Sequence, residues 1–343
     1  MNLHIPFMMH KQNKKVYIYP TYTPSRDKSG NLYIKHFHEA FVQDKHVHVV
    51  NRFWKIGIAS MFFNLDSDIF IIQWIDLIPC KRFGKIQFVL FLCAITFVKW
   101  MGKQLIWVLH NKHAHAGKSM FVDLGMKVMA KKANEVIVHA KEGVDFFDTM
   151  YPKQVGKAHY IPHPVYSQDI YPFLPIKYDY IIWGNIGRHK NVLDFLRFFN
   201  LDNSFQHKTI LVCGQCFDIE YDLQIQKEVA KNSHIIYINR FVTDDELQRL
   251  ISQTRIILFT YNPGSVLSSG ALIYSLNFCK PIIGPRVGNF VDMTGIVSCY
   301  DTFDDILSMN LIFSPEAVMS YIHNNTWSLL PSRILRYTEC RFL

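Results

Sequence analysis

The residues from Arg255 to Gly284, RIILFTYNPGSVLSSGALIYSLNFCKPIIG, restrict the fold of this chain more than any other stretch. Arg255 to Thr260 and Pro281 to Ile283 are apolar runs without polar alternation, the pattern of strands covered on both faces. Between them lie a polar loop with Pro263 and Gly264 and then a helical stretch opened by Ser268, Ser269 and Gly270. Small residues at a helix start leave the first amide N–H groups accessible. With the helix dipole behind them, those groups suit an anion such as phosphate. The same serines also suit plain helix capping, and this stretch alone leaves both readings open.

The remainder of the chain repeats the theme. Strand-like runs fall at Val16 to Tyr22, His46 to Val50, Ile69 to Ile75, Leu105 to Leu109 and Val136 to His139, with helical patterns such as Leu32 to Phe41 and Phe53 to Asn64 between them. A Pro-containing stretch, Tyr160 to Pro175, interrupts this order and reads as a linker. The order then restarts with strand Asp179 to Trp183, helix Val192 to Phe199, strands Thr209 to Cys213 and His234 to Ile238, and helix Asp244 to Ser252. Alternating strands and helices imply parallel crossovers and doubly wound α/β sheets. The 343 residues suit two such domains. In sheets of this kind ligands sit at the carboxyl ends of strands, so the loops Thr23 to Asn31, Asp76 to Pro79 and His110 to Lys118 should share one rim.

Charge divides the chain unequally. From Met1 to Val165 there are 22 Lys and Arg against 11 Asp and Glu, a balance of +11, whereas the remainder sums to −2 within a total of +9. A basic first half implies an anionic partner: a membrane surface, a phosphate-bearing substrate or nucleic acid. The aromatic residues sit in apolar runs rather than among the basic ones, which argues against a nucleic-acid stacking surface. Seven cysteines at irregular spacings describe no disulfide framework and fit a reducing compartment. The apolar core of the N-terminus is too short for a signal peptide, so a cytoplasmic location is expected. Gly84 to Met101 is the most hydrophobic segment, flanked by Lys81, Arg82 and Lys85 at one end and Lys99 and Lys103 at the other. Its apolar run is shorter than the ~20 residues of a spanning helix. It reads either as a buried crossover helix or as one resting among anionic headgroups at the inner membrane face.

Several motifs mislead. AGKS at Ala116 to Ser119 lacks the glycine a P-loop needs five residues before its GK pair, where Lys112 stands. His110, His113 and His115 have no neighbouring cysteine or carboxylate to complete a metal site, so no metal is expected. Cys213 and Cys216 form a lone CGQC with no second pair. A stronger constellation follows the strand that ends at Trp183: GNIGRHKNV, Gly184 to Val192, which projects Arg188 and Lys190 near a helix start. Such cations grip a diphosphate through charge-assisted bonds. If this turn lies on the same sheet edge as Ser268, Ser269 and Gly270, one supplies cations and the other N–H groups.

These segments resemble the GT-B glycosyltransferases, in particular the bacterial type gathered in family 4. The likeness rests on WGNIGRHKN, NRFVTDDELQRLIS before the strand IILFTY, SVLSSGALIYSLNFCKPIIG and VGNFVD, together with WVLHN and VIVHAKEGVDFF in the first half. It implies two Rossmann-like domains facing across a cleft: an acceptor domain at 1–165, a nucleotide-sugar domain at 166–325, and a last helix at 326–343 that follows Trp327 and Ser328 and crosses back. It further implies that Arg188, Lys190, Ser268, Ser269 and Gly270 hold the donor diphosphate. Phe241 and Val242 would lie against the nucleobase, and His110 near the transferred sugar. The donor would be a UDP- or GDP-sugar. The acceptor would be a saccharide, lipid-linked at the cytoplasmic membrane face, in the synthesis of capsule, O-antigen or exopolysaccharide. Two glutamates eight residues apart mark retaining members of the family; Val266 and Tyr274 occupy those places here, and Asn185 stands where an Arg is usual. For an inverting reaction a base must reach the acceptor hydroxyl. Asp76 in QWIDLIP is the first candidate, with Asp27 and His110 as alternatives. No metal cofactor is expected, the leaving nucleotide being stabilised by cations and amides. The competing reading is a catalytically degenerate nucleotide-sugar-binding protein or a peripheral membrane scaffold.

Overall fold

The computed structural model describes residues 13–22, 31–112, 120–205, 207–264 and 266–339. Twelve strands run through it: β1 Lys14–Tyr19, β2 Val47–Val49, β3 Ile69–Gln73, β4 Gln104–Leu109, β5 Glu135–Val138, β6 Ala158–Tyr160, β7 Tyr178–Trp183, β8 Ile210–Cys213, β9 Ile235–Ile238, β10 Thr254–Leu258, β11 Ile282–Pro285 and β12 Val297–Tyr300. They make two six-stranded sheets, ordered β2-β1-β3-β4-β5-β6 and β12-β11-β10-β7-β8-β9. The pairs β1–β2, β1–β3 and β3–β4 in the first, and β7–β8, β8–β9, β10–β7, β10–β11 and β11–β12 in the second, are parallel.

Both sheets change direction of growth beside their first strand. β1 lies between β2 and β3, and β7 lies between β8 and β10. At such a switch the loops leaving the two neighbouring strands depart toward opposite faces and leave a crevice at the carboxyl ends. The second sheet therefore has its crevice where β7 and β10 end, and the first where β1 and β3 end.

The apolar runs behave as their composition demands. In the second sheet Ile181, Leu211 and Ile257 pack into one core, and their neighbours Ile182, Ile210, Val212, Ile256 and Leu258 into another. Successive side chains point to opposite faces of a strand, so a strand buried on both sides has to be apolar throughout. One of these cores is filled by Leu272, Ile273 and Phe290, the other by Phe195, Phe199 and Phe205 from the helix Val192–Leu201 and the turn after it. In the first sheet Tyr17, Phe70 and Trp107 are among the large side chains removed from solvent. By contact density the chain divides into one compact unit of 1–108, 118–136 and 331–343 and another of 109–117 and 137–330.

Two expectations shift. Phe53 to Asn64 is not an α-helix: Trp54–Phe63 is a 3-10 run broken at Gly57, whose φ of 67° and ψ of −135° no helix accommodates. Phe53, Ile56 and Phe63 of this segment are left exposed. β6 and β12 lie outside the sequence-based strand assignments, because AHY and VSCY are short, each is broken by a polar residue, and neither stands out as an apolar run. The hydrophobic segment forms the helix Gly84–Trp100. It starts on a glycine because a Cβ there would lie 2.0 Å from the carbonyl oxygen of Pro79. No helix among the described residues is long and apolar enough to cross a membrane.

β7 and β8 close together at Gly214, which has φ of +138°, and a Cβ there would lie 2.1 Å from the Gly184 carbonyl oxygen. Gly214→Ala is expected to cost about 2 kcal/mol and to lower the melting midpoint by roughly 4–8 °C. Differential scanning calorimetry checks this, and an unchanged midpoint refutes the close approach.

Candidate functional site

The turn after β7 folds a lysine back under its own strand. Gly184 has φ of +92°, and a Cβ on it would lie 2.7 Å from Lys190 Nζ. Glycine at 184 thus makes the space that Lys190 fills. Lys190 is buried, and its Nζ donates to the Trp183 carbonyl oxygen at 2.7 Å. The ammonium also lies 5.5 Å from the centroid of the Tyr261 ring. Asn191, with φ of 54°, ends the turn and begins the helix Val192–Leu201.

The loop after β10 meets this turn directly. The Asn262 amide donates to the His189 carbonyl oxygen at 3.0 Å, and Asn262 Nδ2 to that of Arg188 at 3.2 Å. Thr260 Oγ1 donates to the Lys190 carbonyl oxygen at 2.5 Å. From Tyr261 the connection runs on to Ser269, the two hydroxyl oxygens lying 3.3 Å apart. Ser269 caps the helix Gly270–Ser275, its Oγ accepting from the Leu272 amide at 3.2 Å. The capping reading of Ser269 therefore holds, and it places the serine loop beside the lysine turn on one sheet edge.

Asn289 fixes this loop from behind. Its Oδ1 accepts from the Ser269 amide at 3.0 Å, and its own amide donates to the Leu267 carbonyl oxygen at 2.8 Å. Ser268 Oγ and Asn289 Nδ2 are buried atoms that have no hydrogen-bonding partner among the described residues. Leaving a buried donor unmatched costs about 1–3 kcal/mol. Oxygens of a bound anion would satisfy both. Gly288, at φ of +54°, lets its loop touch Leu267, where a Cβ would fall 2.2 Å from the carbonyl oxygen. The Gly288 amide donates to Glu142 Oε2 at 2.5 Å, and the same carboxylate is paired with Lys112.

The other sequence candidates are placed as follows. Arg188 is turned to carboxylates, with Nε 2.7 Å from Asp218 Oδ2 and Nη2 3.1 Å from Glu220 Oε2, and its guanidinium lies 5.2 Å from the Tyr221 ring centroid. Beyond β9, the Phe241 ring is exposed, whereas Val242 packs against the core. Asp76 is buried in the 3-10 turn Ile75–Cys80 that follows β3. Asp27 lies outside the described residues. The two positions that carry glutamates in the resembled family face inward without charge. Val266 belongs to the apolar core, and Tyr274 lies 5.3 Å from the Trp183 ring and 5.7 Å from that of Phe278. Burial raises the Tyr274 hydroxyl pKa well above its ordinary value.

His110 belongs to a row that sequence reading did not assemble. Within the second compact unit its ring lies 6.0 Å from His139, and His139 lies 5.2 Å from His163. His163 lies 5.7 Å from Tyr166, whose hydroxyl would be 3.0 Å from a Cβ on Gly270. His139 Nδ1 contacts the Ile161 carbonyl oxygen and His163 Nδ1 that of Pro164, each at 2.7 Å. Carbonyls only accept, so Nδ1 carries the proton in both rings. The common signal was a histidine ending or following three strands: VLH, VIVH and IPH. Burial holds all three pKa values down, to about 4 for His139 and about 3 for His163, and well below the ordinary value for His110, where the two neighbours add to the effect. Among the described residues no three of His, Cys, Asp and Glu converge as a metal site requires.

Two parallel α/β sheets in succession, each reversing beside its first strand, make the GT-B fold. Solved structures of that fold match nearly the whole chain. Anabaena Alr3699/HepE, described in complexes with UDP and with UDP-glucose, aligns at TM-scores of 0.64 and 0.63, with 9% identity, 94% of this chain and 99% of that one. The lipopolysaccharide outer core galactosyltransferase WaaB aligns at 0.59, with 13% identity and the same coverage. The N-terminal domain of Candida albicans trehalose-6-phosphate phosphatase aligns at 0.61, with 9% identity, 95% of this chain and 97% of that one. No family model matches the sequence, and no curated protein sequence does.

The buried imidazoles set an acid limit. An unfolded histidine binds its proton near pH 6.5, whereas in the fold His139 and His163 do so only near 4 and 3. Below about pH 6.5 the unfolded chain therefore holds more protons, and stability falls as the pH falls toward 4. The melting midpoint, followed from pH 7.5 to 4.5, is expected to drop progressively; a flat profile would mean these rings are not held neutral.

Proposed function

We propose that this chain is a glycosyltransferase that moves a sugar from a nucleotide-sugar donor, a UDP- or GDP-sugar, to a saccharide acceptor. The observation that carries this is the link through Tyr261 of Lys190 to the 268–270 loop at the switch point of the second sheet, where the buried Ser268 Oγ and Asn289 Nδ2 have no partner among the described residues. The nucleotide complexes of HepE support the donor class. In this reading 166–325 is the donor domain and 1–165 the acceptor domain. Phe241 and Val242 lie against the base.

The reaction breaks the bond between the anomeric carbon and the diphosphate oxygen and forms one to the acceptor oxygen. Charge growing on the leaving diphosphate is met by the Lys190 ammonium and by the amides at Gly270. Asp76 takes the acceptor proton. His110, with its pKa held well below neutrality, is a poor base at pH 7 and acts instead as a neutral hydrogen-bonding group toward the transferred sugar. The acceptor is lipid-linked, met at the cytoplasmic face of the inner membrane by the basic first half, in the building of a bacterial surface polysaccharide: capsule, O-antigen or exopolysaccharide. WaaB, named for lipopolysaccharide core, supports that setting.

A second reading is favoured by Val266 and Tyr274: a degenerate protein that binds nucleotide-sugar and does not turn it over. A donor panel with radiolabelled sugars separates the two, since only the first releases nucleotide.

Thermal shift with UDP and GDP tests the site. UDP or GDP is expected to raise the melting midpoint, and Lys190→Met to weaken that nucleotide at least about tenfold. Arg188→Ala is expected to do less, because its guanidinium is already engaged by Asp218 and Glu220. Equal losses would show that Arg188 leaves those carboxylates for the ligand. For catalysis, Asp76→Asn is expected to lower kcat by about 10²–10⁴ with the donor KM little changed. An unaltered kcat removes Asp76 as the base.

A further inference from the structure

From residue 77 to residue 122 the sequence carries seven Lys and Arg and no Asp or Glu. Part of this stretch lines a cavity of about 880 Å³ at the carboxyl end of β1, the switch point of the first sheet. Lys55, Lys81 and Arg82 line it together with the rings of Tyr19, Trp54 and Phe83, and none of its twelve lining residues is acidic. Lys81 Nζ donates to the Tyr19 hydroxyl at 3.0 Å and lies 5.0 Å from its ring centroid. Lys55 Nζ lies 5.6 Å from the centroid of Trp54. These contacts spread the cations over aromatic faces without neutralising them. Gln87 lines the same cavity, and its Oε1 is buried with no donor among the described residues.

The cavity opens onto an apolar track. Ile86 lines it and also begins a stripe on the helix Gly84–Trp100 that continues through Val89, Cys93, Phe97 and Trp100. Their spacing of three and four residues puts them on one face, and that face is exposed, Ile86 at 61% and Trp100 at 79%. A second, open depression of about 750 Å³ lies along the same stripe between Leu92 and Trp100. From residue 86 to residue 100 the track is about 21 Å long at 1.5 Å per residue. A soluble core helix carries charge on its outward face. This one carries hydrocarbon there, with cations at its start.

We propose that this cavity binds the phosphate or diphosphate headgroup of a long-chain lipid acceptor, whose hydrocarbon chain lies along the Ile86–Trp100 face. The inference rests on the reading above only in taking the acceptor to be lipid-borne. Three cations with no carboxylate among the described lining residues select a multiply charged anion, since positive groups near one another raise the cost of leaving the cavity empty of counter-charge. The aromatic walls and the adjoining stripe select an amphiphile over a free ion.

Isothermal titration of the full chain with farnesyl diphosphate, farnesol and inorganic diphosphate, each with UDP at saturation, tests this. Farnesyl diphosphate is expected to bind at least tenfold tighter than either fragment. Lys55→Ala combined with Arg82→Ala is expected to weaken it at least tenfold while leaving the thermal shift with UDP unchanged, which certifies the fold. Ile86→Asp is expected to bring its affinity down toward that of inorganic diphosphate. Equal binding of inorganic and farnesyl diphosphate would make this a free-anion site and overturn the proposal. So would equal binding of farnesol, displacement by UDP, or indifference to the double substitution. Nucleotide binding without farnesyl diphosphate binding defeats this inference alone. The reverse result defeats the donor-site reading and leaves the cavity assignment standing.

Discussion

A strand buried on both faces has no polar side chain to offer. That constraint governs this molecule, because the strands around both switch points are of this kind, and every group able to meet a charged ligand is pushed into the loops at their carboxyl ends. Lys190, Ser268, Ser269, Gly270 and Asn289 all lie in the connections that follow β7, β10 and β11, in short turns or at a helix start. The apolar strands hold those loops in register, and the reversal of strand order beside β7 sets the lysine turn and the loop after β10 side by side.

The loops then solve a packing problem of their own. Bringing a lysine ammonium under a strand end, and a serine loop against it, requires backbone to approach backbone more closely than side chains permit. Gly184, Gly214 and Gly288 supply that approach, each at positive φ and each with another group where a Cβ would stand. The arrangement leaves Lys190 buried, its ammonium donating to the Trp183 carbonyl oxygen and facing the Tyr261 ring. A buried ammonium is costly without a counter-charge, which supports the anion site proposed there.

Much of this was legible in the residues. The alternation of apolar runs and helical stretches gave the doubly wound class, and the SSG start gave the helix cap at Ser269. The approach of the lysine turn to the serine loop also followed, because neighbouring strands in a parallel sheet end on one edge. What escaped reading depends on the third dimension. β6 and β12 are short and each is broken by a polar residue, so nothing in AHY or VSCY marks them as strands until partners exist. Gly57 breaks what looked like a helix, since one glycine inside an apolar run gives no sign of its dihedral angles. Arg188 and Lys190 are two residues apart and look equivalent in sequence, yet one turns out to Asp218 and Glu220 and the other folds inward. The histidine row was hidden because its members lie at 110, 139 and 163, and only the sheet brings their strand ends together.

The uncharged pair at Val266 and Tyr274 changes what a bound sugar would feel. Carboxylates at those places would grip hydroxyl groups through directional bonds and would also repel the nearby diphosphate. An aliphatic wall and a neutral phenol packed against Trp183 carry no charge to repel it, and of the two only the phenol hydroxyl can form a directional bond. If the proposed donor binds here, discrimination among sugars falls to contour, hydrophobic contact and one phenol hydroxyl, which distinguish epimers weakly, and a loose preference for the transferred group is the expected outcome.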